Sequence, residues 1–318
     1  MKKHKICKIL LVILAIFLCV AFYELLGICV AYKKQPEVSN TTKKETKNGS
    51  WNECSENTER AVIIEKNPEA LLQRVRLIQN AKEEIILSTF AFQSDESGKL
   101  ILGALHDAAD RGVHIRLLVD GMESWIDMEG NPYFYGLSSH ENVEIKLYNK
   151  ANPLKPWKMM GRMHDKYLIA DGKTYILGGR NTYNYFLGDF PGHKNYDRDV
   201  LVVCDEPEKE NSVNQLLEYF ETIWEQEDSG YFHDNKKLAN RKSVKNAVLE
   251  LQNGYQKYFE ENKERICDTD YTDETFETEK IALVSNPIHT GSKEPVVWYQ
   301  LGELMKNAKN RVKIHTPY

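Results

Sequence analysis

Hydrophobic positions in this chain form one long block near the start and a series of short runs farther along. The block covers residues 9–32 and is interrupted by a single acidic side chain, Glu24. About 20 consecutive apolar residues are enough to cross a bilayer as a helix. We therefore predict an N-terminal transmembrane anchor over residues 1–34. A cleaved signal peptide is the alternative, but the length of the block and the absence of a small-residue cleavage site favour the anchor.

The short runs between residues 59 and 228 alternate between the two-residue period of strands and the 3.6-residue period of helices. Such alternation predicts an α/β domain, in which a mixed sheet carries helices on both faces. The predicted strands cover 61–64, 84–92, 113–119, 143–148 and 199–204, and the predicted helices begin at 67, 99 and 213.

A hairpin is predicted at residues 167–177, where two short apolar runs flank the pair Asp171-Gly172. Glycine adopts the positive φ that a tight turn needs, so this pair is a strong turn signal. The second strand ends at Gly178-Gly179, which carries no side chains. A ligand is therefore expected to approach the backbone at that point.

Several polar groups are expected to meet at one end of the hairpin. His164 and Lys166 are two residues apart and should point to the same side of a strand. An imidazole can attack phosphorus or carry a proton near neutral pH, and an ammonium or an amide can hold phosphate oxygens. The pattern predicts phosphoryl or phosphatidyl transfer through a phosphohistidine. The candidate catalytic residues are His164, Lys166 and Asp171, and the candidate phosphate-binding residues are Lys166, Gly178, Gly179 and Asn181.

This hairpin resembles the HKD motif of the phospholipase D superfamily, and its wording is most similar to the bacterial cardiolipin synthase-like branch. The resemblance implies a phospholipase D-like fold, a phospholipid substrate and a reaction that needs no metal or other cofactor. It also implies two motifs that face each other, so that one histidine attacks phosphorus while the other protonates the leaving group. The positions that carry the resemblance are His164, Lys166, Asp171, Gly178, Gly179 and Asn181.

The family also carries an acidic residue in the region after the motif, and Asp197 is the candidate here. A carboxylate near the imidazole could fix the tautomer of His164 and stabilise its charged form. An ion pair with Arg198 at the strand edge is an alternative of equal weight. Arg180 is expected to face the phosphate or to pair with Asp189.

A weak internal repeat suggests how the chain is organised. Asn80-Ala81-Lys82 precedes one predicted strand, and Asn307-Ala308-Lys309 precedes a similar apolar run. A second motif at the same offset would fall beyond the last residue, so a second half or a homodimer partner is expected to complete the site. The predicted segments are a membrane anchor (1–34), a polar linker (35–58), a phospholipase D-like domain (59–228), a helical connector (229–275) and the truncated start of a second such domain (276–318).

Composition narrows the function. The net charge of −5 gives no general attraction to nucleic acid, which counts against a nucleic-acid partner. The six cysteines show no metal-ligand spacing. The resemblance, together with the predicted anchor, implies a cardiolipin synthase-like phosphatidyltransferase, anchored in a bacterial plasma membrane with its catalytic part on the extracytoplasmic side. A phospholipase D- or nuclease-type phosphodiesterase that uses water, and a catalytically silent membrane scaffold, are the alternatives.

Overall fold

The computed structural model of the protein describes residues 2–48, 59–206, 211–233 and 235–314. The described strands are β1 (Glu59–Ile64), β2 (Glu84–Thr89), β3 (His114–Asp120), β4 (Val143–Tyr148), β5 (Lys166–Ala170), β6 (Thr174–Gly178), β7 (Asp199–Cys204), β8 (Ser229–Tyr231) and β9 (Phe276–Glu277). The described α-helices are α1 (Lys2–Ala31), α2 (Asn40–Asn48), α3 (Asn67–Asn80), α4 (Glu96–Asp110), α5 (Gly121–Asp127), α6 (Pro132–Ser138), α7 (Ser212–Trp224), α8 (Lys242–Ile266) and α9 (Val296–Asn307).

The chain forms two compact units. The smaller unit comprises Met1–Asn48, Ala151–Arg162 and Ser285–Lys309, and the larger unit holds the remaining residues. In the smaller unit, Lys5–Ala31 of α1 is long and apolar enough to cross a membrane, and none of it is buried. No other helix in the described ranges meets that test. The predicted linker contains the short helix α2, and residues 49–58 of that linker lie outside the described residues.

The larger unit is built on one mixed sheet with the strand order β8-β4-β3-β2-β5-β6-β7-β1-β9. Strands β2, β3 and β4 are parallel, and each is joined to the next through one or more helices. The other neighbours pair antiparallel, including the predicted hairpin of β5 and β6. Helices flank this sheet, so the predicted mixed α/β architecture is confirmed.

Side chains alternate between the two faces of the sheet, and each face is covered by helices. On one face, Leu117 and Leu168 belong to the main hydrophobic core together with buried residues of α3 and α4. The neighbouring positions Arg116 and Tyr167 point the other way and contact Phe220 of α7. This division decides which side chains can meet at the strand ends.

The expected second copy is represented by one element. Helix α9 lies where the repeat predicts a helix, and β9 pairs with β1 as an edge strand of the existing sheet. The repeat predicts strands at residues 281–285 and 312–316, and the described residues of these two segments, 281–285 and 312–314, have no strand pairing. The last four residues of the chain lie outside the described part. A second domain therefore stays a prediction.

A buried ion cluster joins strand ends that are distant in sequence. The Asp199 carboxylate accepts from Arg74 at 3.0 Å and lies 3.2 Å from the Arg180 guanidinium, and all three side chains are almost fully buried. Arg180 also donates to the carbonyl oxygen of Ile64 and to the Asn67 side chain. The cluster therefore ties β7 and the end of β6 to β1 and α3.

We predict that Asp199→Asn lowers the free energy of unfolding by about 3–5 kcal/mol, because it leaves two buried guanidinium groups without a counter-charge. Guanidinium chloride denaturation of the solubilised chain measures this change. Glu277→Gln is the matched control, since its carboxylate pairs with Arg60 but is 90% exposed, and it should leave stability nearly unchanged. Equal effects of the two substitutions would show that the buried cluster does not stabilise the fold.

Candidate active site

Four neighbouring strands, β2, β5, β6 and β7, have their ends side by side at one end of the sheet. Because β5 runs antiparallel to β2, Lys166 at the start of β5 lies opposite Thr89 at the end of β2. In the same way, Gly178 at the end of β6 lies opposite Asp199 at the start of β7. The sheet order therefore brings the predicted histidine, lysine, glycine and asparagine positions to one place.

His164 and Lys166 share one aromatic neighbour. The His164 ring lies 4.5 Å from the Phe90 ring, centroid to centroid, and the Lys166 ammonium lies 5.2 Å from the same ring centre. The Lys166 Nζ also donates to the backbone oxygen of His164 at 2.7 Å. The structure thus brings the predicted imidazole and ammonium together, with the imidazole exposed and the lysine only 5% exposed.

Burial sets the protonation of Lys166. Removal from water lowers the pKa of its ammonium to about 8, while the negative charges of Asp165, Asp197 and Asp120 act in the opposite direction. At neutral pH the group is therefore mostly cationic. A largely buried cation at the end of a strand is suited to receive an anion.

Asn181 is the third predicted residue at this edge. Its side chain is buried, and its Oδ1 accepts from the backbone N–H of Ala91 at 3.3 Å. Ala91 directly follows Phe90, so this bond ties the end of β6 to the aromatic residue that contacts His164. Asn181 also hydrogen-bonds the hydroxyl of Tyr183, whose pKa is raised mainly by burial.

The glycine pair has a different role from the one expected. A side chain at Gly178 would overlap the Asp199 carboxylate, and a side chain at Gly179 would overlap the Asp197 carboxylate. The space in front of both glycines is therefore occupied by the neighbouring strand and is not open to a ligand. Glycine is required here because β7 and the segment before it approach so closely.

Asp197 lies in front of Gly179 and contributes negative charge near Lys166. Its Oδ1 accepts from the backbone N–H of Arg198 at 2.8 Å, whereas the Arg198 side chain pairs with Glu65. The structure therefore gives Arg198 a partner other than the Asp197 carboxylate and places Asp197 at the site edge.

The structure does not bring Asp171 to the site. This residue has a positive φ of 52° at the hairpin turn, at the opposite end of the five-residue strand β5. At about 3.3 Å per residue, that strand separates it from Lys166 by roughly 17 Å. Its carboxylate accepts from the backbone N–H groups of Lys82, Glu83 and Glu84 at 2.8–3.1 Å. Asp171 therefore closes the connection between α3 and β2.

The alternation of strand faces explains the position of Asp165, and burial explains that of Arg180. Asp165 points to the opposite face and accepts from the Tyr219 hydroxyl at 2.8 Å, as its position beside His164 predicts. Arg180 was expected to face the phosphate or to pair with Asp189. Instead, its guanidinium is buried and pairs with Asp199. Both residues support the site without entering it.

Sequence reasoning missed Phe90 and Asp120. The Asp120 carboxylate is fully buried, and it accepts from the backbone N–H of Met163 at 3.1 Å and of Met122 at 3.0 Å. It thereby fixes the residue directly before His164 and caps α5. The sequence does carry a signal for Asp120, because it is an aspartate that ends an apolar strand just before a helix. No local sequence pattern marks Phe90.

The arrangement offers an exposed nucleophile beside a buried cation. An imidazole that reaches solvent can attack an electrophilic phosphorus, and the adjacent ammonium can stabilise the charge on its oxygens. Within the described ranges, no group of three or more His, Cys, Asp or Glu side chains is placed to hold a metal ion.

Comparisons with known proteins found a matching family model and several similar proteins. Residues 74–224 match the family model described as "Cardiolipin synthase, PLD-like domain". An uncharacterised protein of Helicobacter pylori strain J99 is 30% identical over 212 residues, which are 62% of this chain and 39% of that protein. Cardiolipin synthase C of Escherichia coli K12 is 29% identical over 171 residues, which are 49% of this chain and 34% of the synthase.

Among solved structures, the phospholipase D family member Nuc from Salmonella typhimurium aligns with 55% of this chain and 99% of its own length. The identity is 20% and the TM-score is 0.40. The chain spans well under half the length of the Helicobacter pylori and Escherichia coli relatives.

We predict that the Lys166 ammonium titrates near pH 8 and that inorganic phosphate raises this midpoint, because a bound anion favours the charged form. The charge, and with it phosphate affinity, is present below pH 8 and is lost as the pH rises through that value. Side-chain NMR of ¹⁵N-lysine-labelled protein measures the titration, and Lys166→Arg identifies the resonance. A midpoint above about 10 that phosphate does not move would contradict this placement.

We predict that Asp171→Asn lowers the free energy of unfolding by about 1–3 kcal/mol, because it weakens the bonds to the three backbone N–H groups. Asparagine tolerates the positive φ, so backbone strain does not contribute. The Lys166 resonance should be unchanged. Asp189→Asn, at an exposed loop position, is the control for stability. A shifted Lys166 signal in the Asp171 variant would return this residue to the site.

Proposed function

We propose that residues 74–224, which match a family model described as a cardiolipin synthase, PLD-like domain, form a phospholipase D-like domain, and that this chain transfers phosphatidyl groups between phospholipids. The observation that carries the proposal is the exposed His164 imidazole, which lies against Phe90 beside the buried Lys166 ammonium. Nucleophile and cation are both positioned at one strand edge, as in-line attack on a phosphodiester requires.

In the proposed first step, a ring nitrogen of His164 attacks the phosphorus of a phosphatidyl donor. The bond between phosphorus and the head-group oxygen breaks, and that oxygen takes a proton from a general acid. Lys166 holds a non-bridging oxygen and stabilises its charge. In the second step, the hydroxyl of an acceptor lipid gives its proton to the conjugate base of that acid and attacks phosphorus. The bond between phosphorus and the His164 nitrogen breaks, which releases the imidazole. No metal enters either step.

We assign Asp197 an indirect part in this chemistry. Its carboxylate opposes the effect of burial on Lys166, and it lies over Gly179 at the edge of the site. It therefore helps to keep the ammonium charged at neutral pH. The alternative role, orientation of the His164 ring, remains a proposal as well, and Asp171 is assigned to the hairpin turn.

A general acid for the leaving group is proposed to come from a second motif. The relatives that this chain matches are more than twice the length of the matched segments. A second half of a longer protein, or a second copy of this chain, would place another imidazole opposite His164. The helix at Lys5–Ala31 is proposed to hold the site beside its lipid substrate in a bacterial plasma membrane, with the catalytic part outside.

Hydrolysis is the second candidate function, and the exposure of His164 favours it specifically. A phosphohistidine at an exposed position can be attacked by water as well as by a lipid hydroxyl. The same first step would then release phosphatidate, as in a phospholipase D.

We predict that the chain reconstituted with phosphatidylglycerol forms cardiolipin and an acid-labile phosphatidyl-enzyme, and that His164→Asn lowers both by 10²–10⁴-fold, on the order expected for loss of a reacting imidazole. Thin-layer chromatography of labelled lipid and rapid quenching measure the two products. His193→Asn is the matched control, because His193 is an exposed histidine whose ring contacts Tyr185.

The products discriminate between the candidates. Phosphatidate in place of cardiolipin would assign hydrolysis, and equal turnover by His164→Asn would remove His164 from the reaction.

A further inference from the structure

A second cavity of about 440 Å³ opens on the larger unit between α4, α6 and α8. Its position differs from that of the candidate active site, because it lies near the end of α4 that leads into the start of β3. The volume falls within the range of small-molecule sites. Its walls are mostly apolar and include Val244, Val248 and Leu249, and the polar groups that line it include His106, His140 and Lys245.

Two histidines in this cavity share one carboxylate. The backbone N–H of Asn142 donates to His140 Nδ1 at 3.1 Å, so the proton of that neutral ring is on Nε2. This Nε2 lies 3.2 Å from Asp110 Oδ1 and donates to it. The other oxygen of Asp110 lies 3.1 Å from His106 Nδ1. The carboxylate therefore fixes both rings, with Nδ1 of His106 as its donor.

The remaining nitrogen of His106 has no hydrogen-bond partner within the described part of the chain. The residue is only 8% exposed, yet it lines the cavity. A buried imidazole whose Nδ1–H is held by a carboxylate can accept a proton at Nε2, because the carboxylate stabilises the resulting cation. Such a group is suited to an acidic ligand in an otherwise apolar site.

The charged groups around the cavity agree with this assignment. Lys245 lines the rim and is exposed, and the Lys236 ammonium is held at the backbone oxygens of Ser138 and His140. Asp110 is a negative charge beside the cavity, and both of its oxygens are directed to the histidines. An added anion in the cavity would therefore meet the Lys245 ammonium at the rim and the His106 imidazole.

We propose that this cavity binds a single-chain amphiphile with one acidic head group, of the fatty-acid class. The alkyl chain lies against Val244, Val248 and Leu249. The head group binds as the carboxylate that it is at neutral pH. His106 Nε2 takes up one proton from the solvent, and the resulting imidazolium donates a hydrogen bond to that carboxylate, so charge and protons balance. This inference does not depend on the proposed lipid transfer.

The test uses the full chain in nanodiscs with ¹³C-labelled histidine rings. We expect decanoate to move the His106 ring signals to imidazolium positions, whereas decanol and acetate, which lack either the acid or the chain, do not. His106→Gln and Leu249→Asp should each weaken decanoate binding at least tenfold. Leu249 is 57% exposed, so the charge should not prevent folding. His114→Gln, at a histidine paired with Glu84 and Glu144 outside the cavity, should bind decanoate normally.

Each result decides the proposal. Decyl phosphate that binds more tightly than decanoate, with the same variant pattern, would support the acidic amphiphile and assign a phosphate monoester as its head group. Equal binding of decanol and decanoate, or binding unchanged in both cavity variants, would overturn the proposal. A cavity that is protected from solvent exchange and gives no response to any ligand would show that a protein segment covers it, and would also overturn the proposal.

Discussion

The buried ion cluster around Asp199 is the interaction on which the candidate site depends. One carboxylate at the start of β7 holds two guanidinium groups, one from α3 and one directly before Asn181. Burial lowers the pKa of Arg180, while the negative charge of Asp199 acts in the opposite direction. In addition, Asp199 Oδ1 is buried without a hydrogen-bond partner in the described chain. The burial of these charges is unfavourable, but the cluster joins β1, β6, β7 and α3 at the end of the sheet where the site forms.

The same edge contains a second unfavourable burial, that of Lys166. Its ammonium has lost much of its hydration and is bonded to a backbone oxygen, so the favourable charge interactions come from carboxylates nearby. A bound phosphodiester would supply a further negative charge at short range. The folded protein thus holds free energy that anion binding can recover, which is a physical reason to place a phosphate at this point and not at the more hydrated lysines of the surface.

The sequence predicts the elements well because their signals are local. Strands β4 and β7 begin and end where the apolar runs do, and the hairpin follows from one turn pair. The site was predictable to the extent that alternation places His164 and Lys166 on one side. The sequence does not predict the structural role of Asp171, because its hydrogen-bond partners, residues 82–84, lie almost ninety positions away along the chain. Only the order of strands in the sheet brings them together, and hydrophobic periodicity does not encode that order.

The same limit explains the glycine pair and the second copy. Glycine at 179 is compatible with an open backbone or with a close approach, and the choice depends on where Asp197 lies. A helix such as α9 can form from its own residues, since its hydrogen bonds are internal. A strand needs a neighbour, so the apolar run at 311–314 has a strand's pattern without a strand's pairing. Local sequence specifies helices and turns, whereas strand pairing and active sites depend on contacts that the whole sheet must supply.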